Sequence, residues 1–318
     1  MASKLIKKMS NDINLSQSDI QKIILSAPYR YKVYPIRKKK PGEFRIIAQP
    51  AREVKLLQYW LMANSLNNLP VHSAAAAYIP KRNILNNAEK HSKNQFILKM
   101  DFTNFFPSIK PNDFRVYLER QNRKLFERED LDHVIRILFW KPKKAKEFQL
   151  SIGAPSSPHI SNLVMYDFDE EAEKLCNAND IVYTRYADDL TFSTNEPYRL
   201  RHIHGSVKEV CRKIDHPKLF INTEKTFFSS KRNRRRITGL IISNDERVSL
   251  GRERKRLIRA KIHKFVLGKL DKEEIEKLRG LLAFSNDVEP EFIKRMKAKY
   301  SEETITTILK MPWLKGKD

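Results

Sequence analysis

The sequence Tyr186-Ala187-Asp188-Asp189 lies between two runs that are typical of β-strands, residues 181–185 and 190–194. Both runs are rich in β-branched and aromatic residues, so the pattern predicts a hairpin with the acidic pair in its tight connection. Neighbouring carboxylates converge only where the backbone turns, because adjacent side chains of a strand point to opposite faces. Close carboxylates repel one another unless a cation lies between them, and their oxygen atoms suit Mg²⁺. The stretch therefore predicts a magnesium site, with a solvated, Asp-rich turn as the alternative.

The charge of the chain favours a polyanionic partner. Its 318 residues include 62 Lys and Arg against 38 Asp and Glu, a formal net charge of +24, which is far more than solubility requires. Membrane surfaces are also anionic, but the sequence contains no long apolar run, no signal-peptide pattern and no lipidation signal. We therefore expect a soluble, cytoplasmic protein without membrane association. Two cysteines, Cys176 and Cys211, are too few for a disulfide framework or a four-thiolate metal site.

A basic hairpin is predicted near the beginning of the chain. Apolar and polar residues alternate over residues 29–35, Pro41-Gly42 forms a turn, and residues 44–48 form the return strand. Four cationic residues, 37–40, occupy the tip, and Arg45 lies on the return strand. Such a ribbon could close over a triphosphate with Arg45 as a bidentate phosphate ligand, or it could be a solvated edge protected by charge.

Two further segments carry candidate site residues. Residues 94–100 form an apolar strand that ends at Asp101, and an acid at this position is either a metal ligand or a cap for the next element. Residues 150–158 form a turn rich in glycine, proline and serine around Gly153, before a predicted helix over residues 159–175. Exposed backbone N–H groups before a helix suit a phosphate or a base pair, but they also occur in ordinary capped turns.

The order of these elements resembles the palm of a reverse transcriptase, and more closely the bacterial retron reverse transcriptases, over residues 29–264. Two short elements point to retrons. Residues 87–91, Asn-Ala-Glu-Lys-His, match the Asn-Ala-x-x-His element of that family, and residues 237–239, Ile-Thr-Gly, resemble its Val-Thr-Gly element. The chain departs from the family at Ser151 and Ile152, where a proline and a glutamine are usual.

The resemblance implies an α+β fold with the organisation of a right-hand polymerase. Its parts are a fingers hairpin, an antiparallel palm sheet backed by helices, and a helical thumb. The corresponding domains are an N-terminal helical segment (residues 1–28), the fingers and palm (residues 29–250) and the thumb (residues 251–318). Within the first segment, residues 16–18 offer helix caps.

The resemblance also assigns the catalytic and nucleotide-binding residues. Asp101 and Asp188 would bridge two Mg²⁺ ions with the assistance of Asp189, and Lys225 would protonate the departing pyrophosphate. The expected dNTP-binding residues are Arg45, Phe106 and Gly153. Phe106 occupies the place of the aromatic residue that rejects ribonucleotides by crowding the ribose 2′ position. A core role for Phe106 and a merely solvated Lys225 are the alternatives.

The expected RNA-binding residues combine the two retron elements with clustered cations. Residues 231–236 hold five cations in six positions before a predicted apolar strand, residues 237–242. Residues 252–264 form a predicted helix with an apolar stripe at Leu257, Ile258 and Ile262 beneath a basic face. For His91 and Thr238 a packing role is the alternative, and the basic helix could be a solvated surface. The complete set is Asn87, His91, Thr238, Gly239, Arg234, Arg235, Arg236, Arg254 and Arg259.

By resemblance, the chain is an RNA-directed DNA polymerase that copies a structured retron non-coding RNA (msr-msd). Synthesis from dNTPs would start at the 2′-hydroxyl of a guanosine and yield branched single-stranded DNA (msDNA), as part of an anti-phage defence system with an effector protein. The residues from 251 onward are too few for a thumb and a ribonuclease H domain, so a host ribonuclease H is expected to act in trans. The alternatives are a group II intron-like reverse transcriptase and a non-catalytic RNA-binding protein of polymerase fold.

Overall fold

The computed structural model describes residues 3–38, 40–122 and 125–311. One cation of the predicted basic tip, Lys39, and the end of the predicted thumb, residues 312–318, lie outside the described residues. Within this part of the chain, helices and strands are numbered in chain order. The helices are α1 (Lys4–Ile13), α2 (Gln17–Ser26), α3 (Arg52–Leu61), α4 (Ile84–Glu89), α5 (Phe105–Ser108), α6 (Pro111–Arg120), α7 (Arg128–Leu138), α8 (Ser157–Val164), α9 (Tyr166–Asn177), α10 (Arg199–Lys213), α11 (Arg252–Val266), α12 (Lys272–Val288), α13 (Pro290–Tyr300) and α14 (Glu302–Lys310).

The strands form three sheets. A two-stranded sheet contains β1 and β2, a four-stranded sheet has the order β4-β5-β3-β6, and a three-stranded sheet has the order β7-β8-β9. Helices together with antiparallel sheets confirm the predicted α+β class. The strands are β1 (Tyr31–Arg37), β2 (Phe44–Pro50), β3 (Phe96–Asp101), β4 (Val182–Tyr186), β5 (Asp189–Thr194), β6 (Phe227–Ser230), β7 (Arg235–Ile237), β8 (Leu240–Ile242) and β9 (Val248–Ser249).

The chain divides into two compact units. Unit 1 contains Met1–Arg82 and Leu98–Phe228, and unit 2 contains Asn83–Ile97 and Ser229–Asp318. These units divide the chain at other positions than the domains expected from the sequence, 1–28, 29–250 and 251–318, so that assignment stays a prediction.

The N-terminal segment is helical, as the sequence indicates. The Ser16 hydroxyl accepts a hydrogen bond from the backbone N–H of Asp19 at 3.1 Å and caps α2. Ile20 and Ile24 of α2 are fully buried, and α2 packs against α7 within unit 1. Apolar residues at helical spacing therefore anchor this segment to the rest of the unit.

The basic hairpin has the predicted register. Strands β1 and β2 pair from Tyr31 opposite Pro50 to Arg37 opposite Phe44. Gly42 lies in the turn with a φ of 80°, a backbone conformation that glycine adopts without steric cost. Lys38 and Lys40 both pair with Glu43, at 3.1 and 3.3 Å. The ribbon is thus a β-hairpin with a charged tip.

The four-stranded sheet is backed by helices within unit 1. Helix α9 packs against β4, and α10 packs against β5. Phe168 of α9 makes an edge-to-face contact with Phe102 at a ring distance of 5.3 Å, and Tyr183 of β4 stacks on Phe192 of β5 at 5.0 Å. The first contact joins α9 to the residue after β3, and the second joins the two strands of the β4–β5 hairpin.

The predicted apolar strand over residues 237–242 is wrong. Strand β7 ends at Ile237, and β8 begins at Leu240, which pairs with Ile237 in an antiparallel hairpin. Between them, Thr238 and Gly239 have φ values of 45° and 87°, and two successive positive values are the pattern of a type I′ turn. The β-branched residues suggested a continuous strand because their propensity does not report a change of direction.

Unit 2 has its own apolar core. Helices α11 to α14 and the β7–β8 hairpin contribute buried side chains, including Ile237, Leu240, Ile258, Leu282 and Phe292. The helical character predicted for residues after 251 is therefore confirmed through Lys310.

The predicted apolar stripe of α11 needs one correction. Ile258 and Ile262 are fully buried, but Leu257 is 49% exposed. Residues 258 and 262 are one helical turn apart and share a face, whereas Leu257 lies about 100° away from Ile258 around the helix axis. Only the two isoleucines therefore face the core.

Among the described residues, the structure contains no helix with both the length and the apolar character needed to cross a membrane.

His91 provides a test of packing in unit 2. The ring is 0% exposed, and burial, assisted by the charge of Lys90, lowers the pKa of His91 to about 3. The unfolded chain takes up a proton near the ordinary His pKa of about 6.5, whereas the folded chain does not. The contribution of His91 to the free energy of unfolding is therefore fully present above about pH 6.5. This contribution is lost as the pH falls toward 3.

We expect the wild-type protein to lose about 2 kcal/mol of unfolding free energy through His91 between about pH 7.5 and pH 5. The His91→Gln variant should lack this part of the pH dependence. Urea unfolding of both proteins at the two pH values measures the difference. An identical pH dependence in wild type and variant would mean that His91 is protonated inside the fold.

Candidate active site

Three carboxylates meet where β3 ends and the β4–β5 connection begins. The backbone N–H of Phe102 donates to the carbonyl of Asp188 at 3.3 Å, so the residue after Asp101 is directly bonded to the connection. Burial, and then the charges of Asp101 and Asp189, raise the pKa of Asp188 to about 6. The structure thus brings Asp101, Asp188 and Asp189 together, although the first two are 87 positions apart in the chain.

The β4–β5 connection is as tight as the sequence predicts. Tyr186 pairs with Asp189, which leaves only Ala187 and Asp188 in the loop. Ala187 has a φ of 57°, and a non-glycine residue adopts this left-handed conformation at a cost. The turn therefore needs support from its surroundings.

That support comes from a buried ion pair that sequence reasoning missed. The side chains of Arg185 and Asp169 are both 0% exposed and lie 2.6 Å apart. The Arg185 guanidinium also donates to the carbonyl of Ala187 and to the side-chain oxygen of Asn162, each at 3.1 Å. The Tyr183 hydroxyl completes the network by donating to Asp169 at 2.8 Å. Arg185 therefore holds the strained turn that carries Asp188.

One feature of the sequence could have indicated this network. Arg185 is the last residue before Tyr186 in a strand of apolar and β-branched residues, and an arginine in a buried strand requires a buried counter-charge. Its partner Asp169 lies 16 positions earlier on α9, where no local pattern distinguishes it from neighbouring acids.

Lys225 lies at the carboxylates, within a 3₁₀ turn, Thr223–Lys225, rather than at a strand edge. Its ammonium group donates to both oxygens of Asp101, at 2.8 and 3.0 Å. Burial lowers the pKa of Lys225, but the hydrogen bond to Asp101 and the negative charges of the three carboxylates outweigh it and raise the pKa overall. For Asp101 the effect of burial is opposite in sign: burial raises the pKa of this carboxyl, and the hydrogen bond and charge of Lys225 only partly offset the rise.

The carboxylates are suited to divalent cations. Over residues 3–38, 40–122 and 125–311, no three His, Cys, Asp or Glu side chains already form a closed metal-binding group. Asp101, Asp188 and Asp189 nevertheless supply hard oxygen donors that are partly desolvated and repel one another, as the raised pKa of Asp188 indicates. A divalent cation would relieve this repulsion, so the donor set fits Mg²⁺.

Phe106 and Gly153 line one cleft of about 370 Å³ in unit 1, together with Tyr59, Tyr78 and Ile152. Gly153 has a φ of 130°, and a Cβ atom on it would lie 3.0 Å from the carbonyl oxygen of Ala48. Glycine suits this position, because the positive φ strains any other residue and a Cβ atom would press tightly on the backbone of β2.

The turn before α8 is attached to the basic hairpin. The backbone N–H of Ala48 in β2 donates to the carbonyl of Ile152 at 2.9 Å. Arg45 on the same strand is exposed and is not among the residues that line the cleft. Its positive charge nonetheless acts on the hydroxyl of Tyr78, a residue of the cleft.

Three predicted RNA-binding residues are buried in the structure. Asn87 and His91 are 2% and 0% exposed, so their side chains are packed inside unit 2. Arg235 is 1% exposed, and its guanidinium donates to the backbone carbonyls of Ser92, Asn94 and Ser243. These contacts join the start of β7 to the loop before β3 and to the end of β8, so Arg235 has a structural role.

The other predicted cations of unit 2 are more accessible. Arg234 and Arg236 are exposed, and Arg234 pairs with Glu253 at 2.9 Å. On α11, the guanidinium groups of Arg254 and Arg259 lie over the rings of Phe284 and Phe292, at 5.1 and 5.8 Å. The positive charge of each guanidinium is attracted to the face of the ring, which holds the side chain against the neighbouring helices.

The retron-like turn residues are partly accessible. The Thr238 hydroxyl donates to the carbonyl of Ile84 at 3.4 Å, and Gly239 occupies the second position of the β7–β8 turn. Both residues are half-buried.

Comparisons with known proteins agree with the geometry. Residues 36–242 match the family model described as reverse transcriptase (RNA-dependent DNA polymerase). The Retron Ec83 reverse transcriptase of Escherichia coli is 42% identical over 295 residues, which cover 92% of this chain and 94% of that protein. The Retron Ec86 reverse transcriptase of Escherichia coli is 33% identical over 305 residues, which cover 93% of this chain and 91% of that protein.

Among solved structures, the telomerase of Candida albicans in complex with the TWJ fragment of telomeric RNA superimposes with a TM-score of 0.47 and 12% identity. The superposition covers 89% of this chain and 61% of that one.

The buried ion pair predicts a large difference between two aspartates on α9. Asp169→Ala leaves Arg185 without its counter-charge and should lower the unfolding free energy by about 3–5 kcal/mol. Asp167→Ala, two positions away, removes only the partner of the half-exposed Arg120 and should cost about 1 kcal/mol or less. Urea unfolding measures both losses. Equal losses would show that the buried pair adds nothing beyond a surface pair.

Proposed function

The chain belongs to the reverse transcriptase family and, within it, to the retron reverse transcriptases, and on this premise we propose that it copies a structured retron non-coding RNA (msr-msd) into branched single-stranded DNA, msDNA. As a reverse transcriptase, it is an RNA-dependent DNA polymerase. The proposed reaction starts at the 2′-hydroxyl of a guanosine in the template RNA and consumes dNTPs.

The observation that carries the proposal is the meeting of Asp101, Asp188 and Asp189 beside Lys225. In-line phosphoryl transfer requires negative side chains that hold cations at the reacting oxygens, and a positive group near the leaving pyrophosphate. This group of four side chains offers both kinds of charge in one place.

Reverse transcriptases use divalent metal ions, and we propose that Asp101, Asp188 and Asp189 bind two Mg²⁺ ions. When bound, these ions activate the attacking hydroxyl and stabilise charge on the triphosphate. The carboxylate of Asp101 would exchange its contact with Lys225 for a contact with a cation.

Lys225 is the proposed general acid. Its ammonium group carries a proton on a flexible side chain that is 57% exposed, so it can turn from Asp101 toward a departing pyrophosphate. General acid catalysis contributes about 10²–10⁴-fold, so Lys225 would speed the reaction without being indispensable.

The cleft with Phe106 and Gly153 is the proposed binding site of the incoming dNTP. Gly153 permits close approach of backbone to a base pair, and Phe106 would crowd a ribose 2′-hydroxyl. Arg45, exposed on the hairpin, would contact the triphosphate. Ile152 lines this cleft at the position where a glutamine is usual, and its side chain can offer apolar contact but no hydrogen bond.

The accessible cations of unit 2 are the proposed RNA-binding surface. Arg234, Arg236 and Arg259 are exposed, and a formal charge of +24 favours a polyanion. Arg254 and the turn residues Thr238 and Gly239 complete the surface. Asn87, His91 and Arg235 would support it from the interior.

Family membership also supports the proposed cellular partners. We infer that the protein acts in the cytoplasm in an anti-phage defence system with a separate effector protein. We also infer that a host ribonuclease H removes the copied RNA in trans.

Sequencing of the nucleic acid that co-purifies with the protein tests the function. We expect the wild-type protein to carry a covalent RNA–DNA branch with one defined RNA sequence. Asp188→Asn should carry the same RNA without DNA, because it lacks a carboxylate for phosphoryl transfer. Asp245→Asn, a control at a side chain that is 63% exposed, should behave like the wild type.

Two results would contradict the proposal. Random cellular RNA on the wild-type protein would contradict the proposal that the enzyme copies one retron RNA. If the Asp188→Asn protein carried as much DNA as the wild type, Asp188 would not be a catalytic residue, even if the bound RNA were the expected one.

Phe106 predicts how the enzyme discriminates between sugars. Phe106→Ala should raise the efficiency of GTP incorporation relative to dGTP by about ten- to one-hundredfold, because space opens at the ribose 2′ position. Single-nucleotide extension gives kcat/KM for both substrates. Phe228→Ala, which removes another ring that is 44% exposed, should leave the ratio unchanged. If the ratio stays unchanged in Phe106→Ala as well, Phe106 is a core aromatic residue only.

A further inference from the structure

Tyr78 has a backbone conformation that is costly for a bulky residue. Its φ is 61°, in the left-handed region, where side chains with a large Cβ substituent are true outliers. The side chain is also 48% exposed, so core packing does not explain why a tyrosine occupies this position. Such conformations persist where the surrounding structure enforces them, often at functional sites.

The network that holds the catalytic turn also holds the segment before Tyr78. The backbone N–H of Arg185 donates to the carbonyl of Ala74 at 2.9 Å, and the N–H of Ala76 donates to the carbonyl of Arg185 at 2.7 Å. The side-chain amide of Asn162 donates to the carbonyl of Ala77 at 2.8 Å. Asn162 is the same residue that accepts a hydrogen bond from the Arg185 guanidinium. Tyr78 and the turn with Asp188 are therefore positioned by one buried cluster.

The ring of Tyr78 lies close both to the cleft and to the residues around Asp188. It lines the cleft together with Phe106 and Gly153, and its centroid lies 6.5 Å from that of Tyr186, the residue that begins the catalytic turn. Burial, and then the charges of Asp188 and Tyr186, raise the pKa of Tyr78, which agrees with this placement. The ring thus forms a surface shared by both halves of the site.

A polymerase must hold two nucleotides at this place. The terminal nucleotide of the growing strand lies with its hydroxyl at the carboxylates, and the incoming nucleotide lies beside it. A ring that lines the cleft and lies beside the turn with Asp188 would meet the bases at that junction, and aromatic side chains accept any base because every base has an apolar face. A strained, half-exposed tyrosine on a rigid support suits this task better than a flexible side chain does.

We propose that Tyr78 is a substrate-contacting residue whose ring packs against the base pair at the growing end of the DNA. This inference rests on the proposed catalytic role of Asp188, because that role defines where the growing end lies. The contact contributes affinity for the primer–template and does not depend on base sequence.

Three substitutions at position 78 distinguish the contribution of the ring to binding from the contributions of the backbone conformation and the hydroxyl. Tyr78→Phe keeps the ring, Tyr78→Ala removes it, and Tyr78→Gly removes it while fitting a φ of 61° without strain. Fluorescence anisotropy of a labelled primer–template, without dNTPs, measures binding to the full-length protein. Tyr198→Ala is the matched control, because it removes a tyrosine that is 76% exposed at the start of α10.

We expect Tyr78→Ala and Tyr78→Gly to bind the duplex about five- to one-hundredfold more weakly than the wild type. Tyr78→Phe and Tyr198→Ala should remain within about twofold of the wild type. On a duplex whose terminal nucleotides are abasic, wild type and Tyr78→Ala should bind alike, since the base that the ring contacts is missing.

Two outcomes would overturn the proposal. Wild-type affinity in Tyr78→Gly would show that the ring contacts no substrate. A loss in Tyr78→Ala that persists on the abasic duplex would show that the ring only supports the neighbouring Tyr186. The Asp188→Asn variant allows the proposed role of Tyr78 to be tested independently of the proposed catalytic role of Asp188. That variant should bind the duplex normally without extending it, and if it extends the primer, the catalytic assignment fails while the binding comparison still decides whether Tyr78 touches the bases.

Discussion

The buried ion pair between Arg185 and Asp169 is the interaction on which the candidate active site depends. Both side chains are 0% exposed, so each charge is tolerated in the interior only because the other compensates it. The same guanidinium holds Ala187 and Asn162, and Asn162 holds Ala77. One buried cation therefore fixes two loops in which Ala187 and the residue after Ala77 have strained backbones. The geometry of the carboxylates depends on the rigidity of this cluster.

The negative charges of the three carboxylates repel one another in the folded protein. Burial and mutual repulsion raise the pKa of Asp188, and the ammonium group of Lys225 hydrogen-bonds to both oxygens of Asp101. A site in this condition gains stability from any additional cation, which is the physical basis for metal binding. The contact between Lys225 and Asp101 keeps an ammonium group beside the carboxylates, where the proposed general acid is needed.

Sequence patterns predicted the elements well and the partners of single residues poorly. The hairpin with Asp188, the basic ribbon and the Ser16 cap were found because turn chemistry and periodicity are local. The strand over residues 237–242 was wrong because a tight turn hides inside a β-branched run. Arg235 was assigned to RNA from the cationic run around it, but its guanidinium bonds to carbonyls more than 140 positions earlier in the chain. A pattern of charge does not distinguish an arginine on the surface from one in the interior.

The sequence by itself determined the class of the fold, the acidic turn and the family to which the chain belongs, because these follow from short-range spacing and from residue types. Tertiary structure alone decided which acid pairs with Arg185, that Lys225 bonds to Asp101 across 124 positions, and that Tyr78 lies beside Tyr186. The physical reason is that hydrogen bonds and ion pairs act over about 3 Å, and only the folded chain brings distant residues within that range.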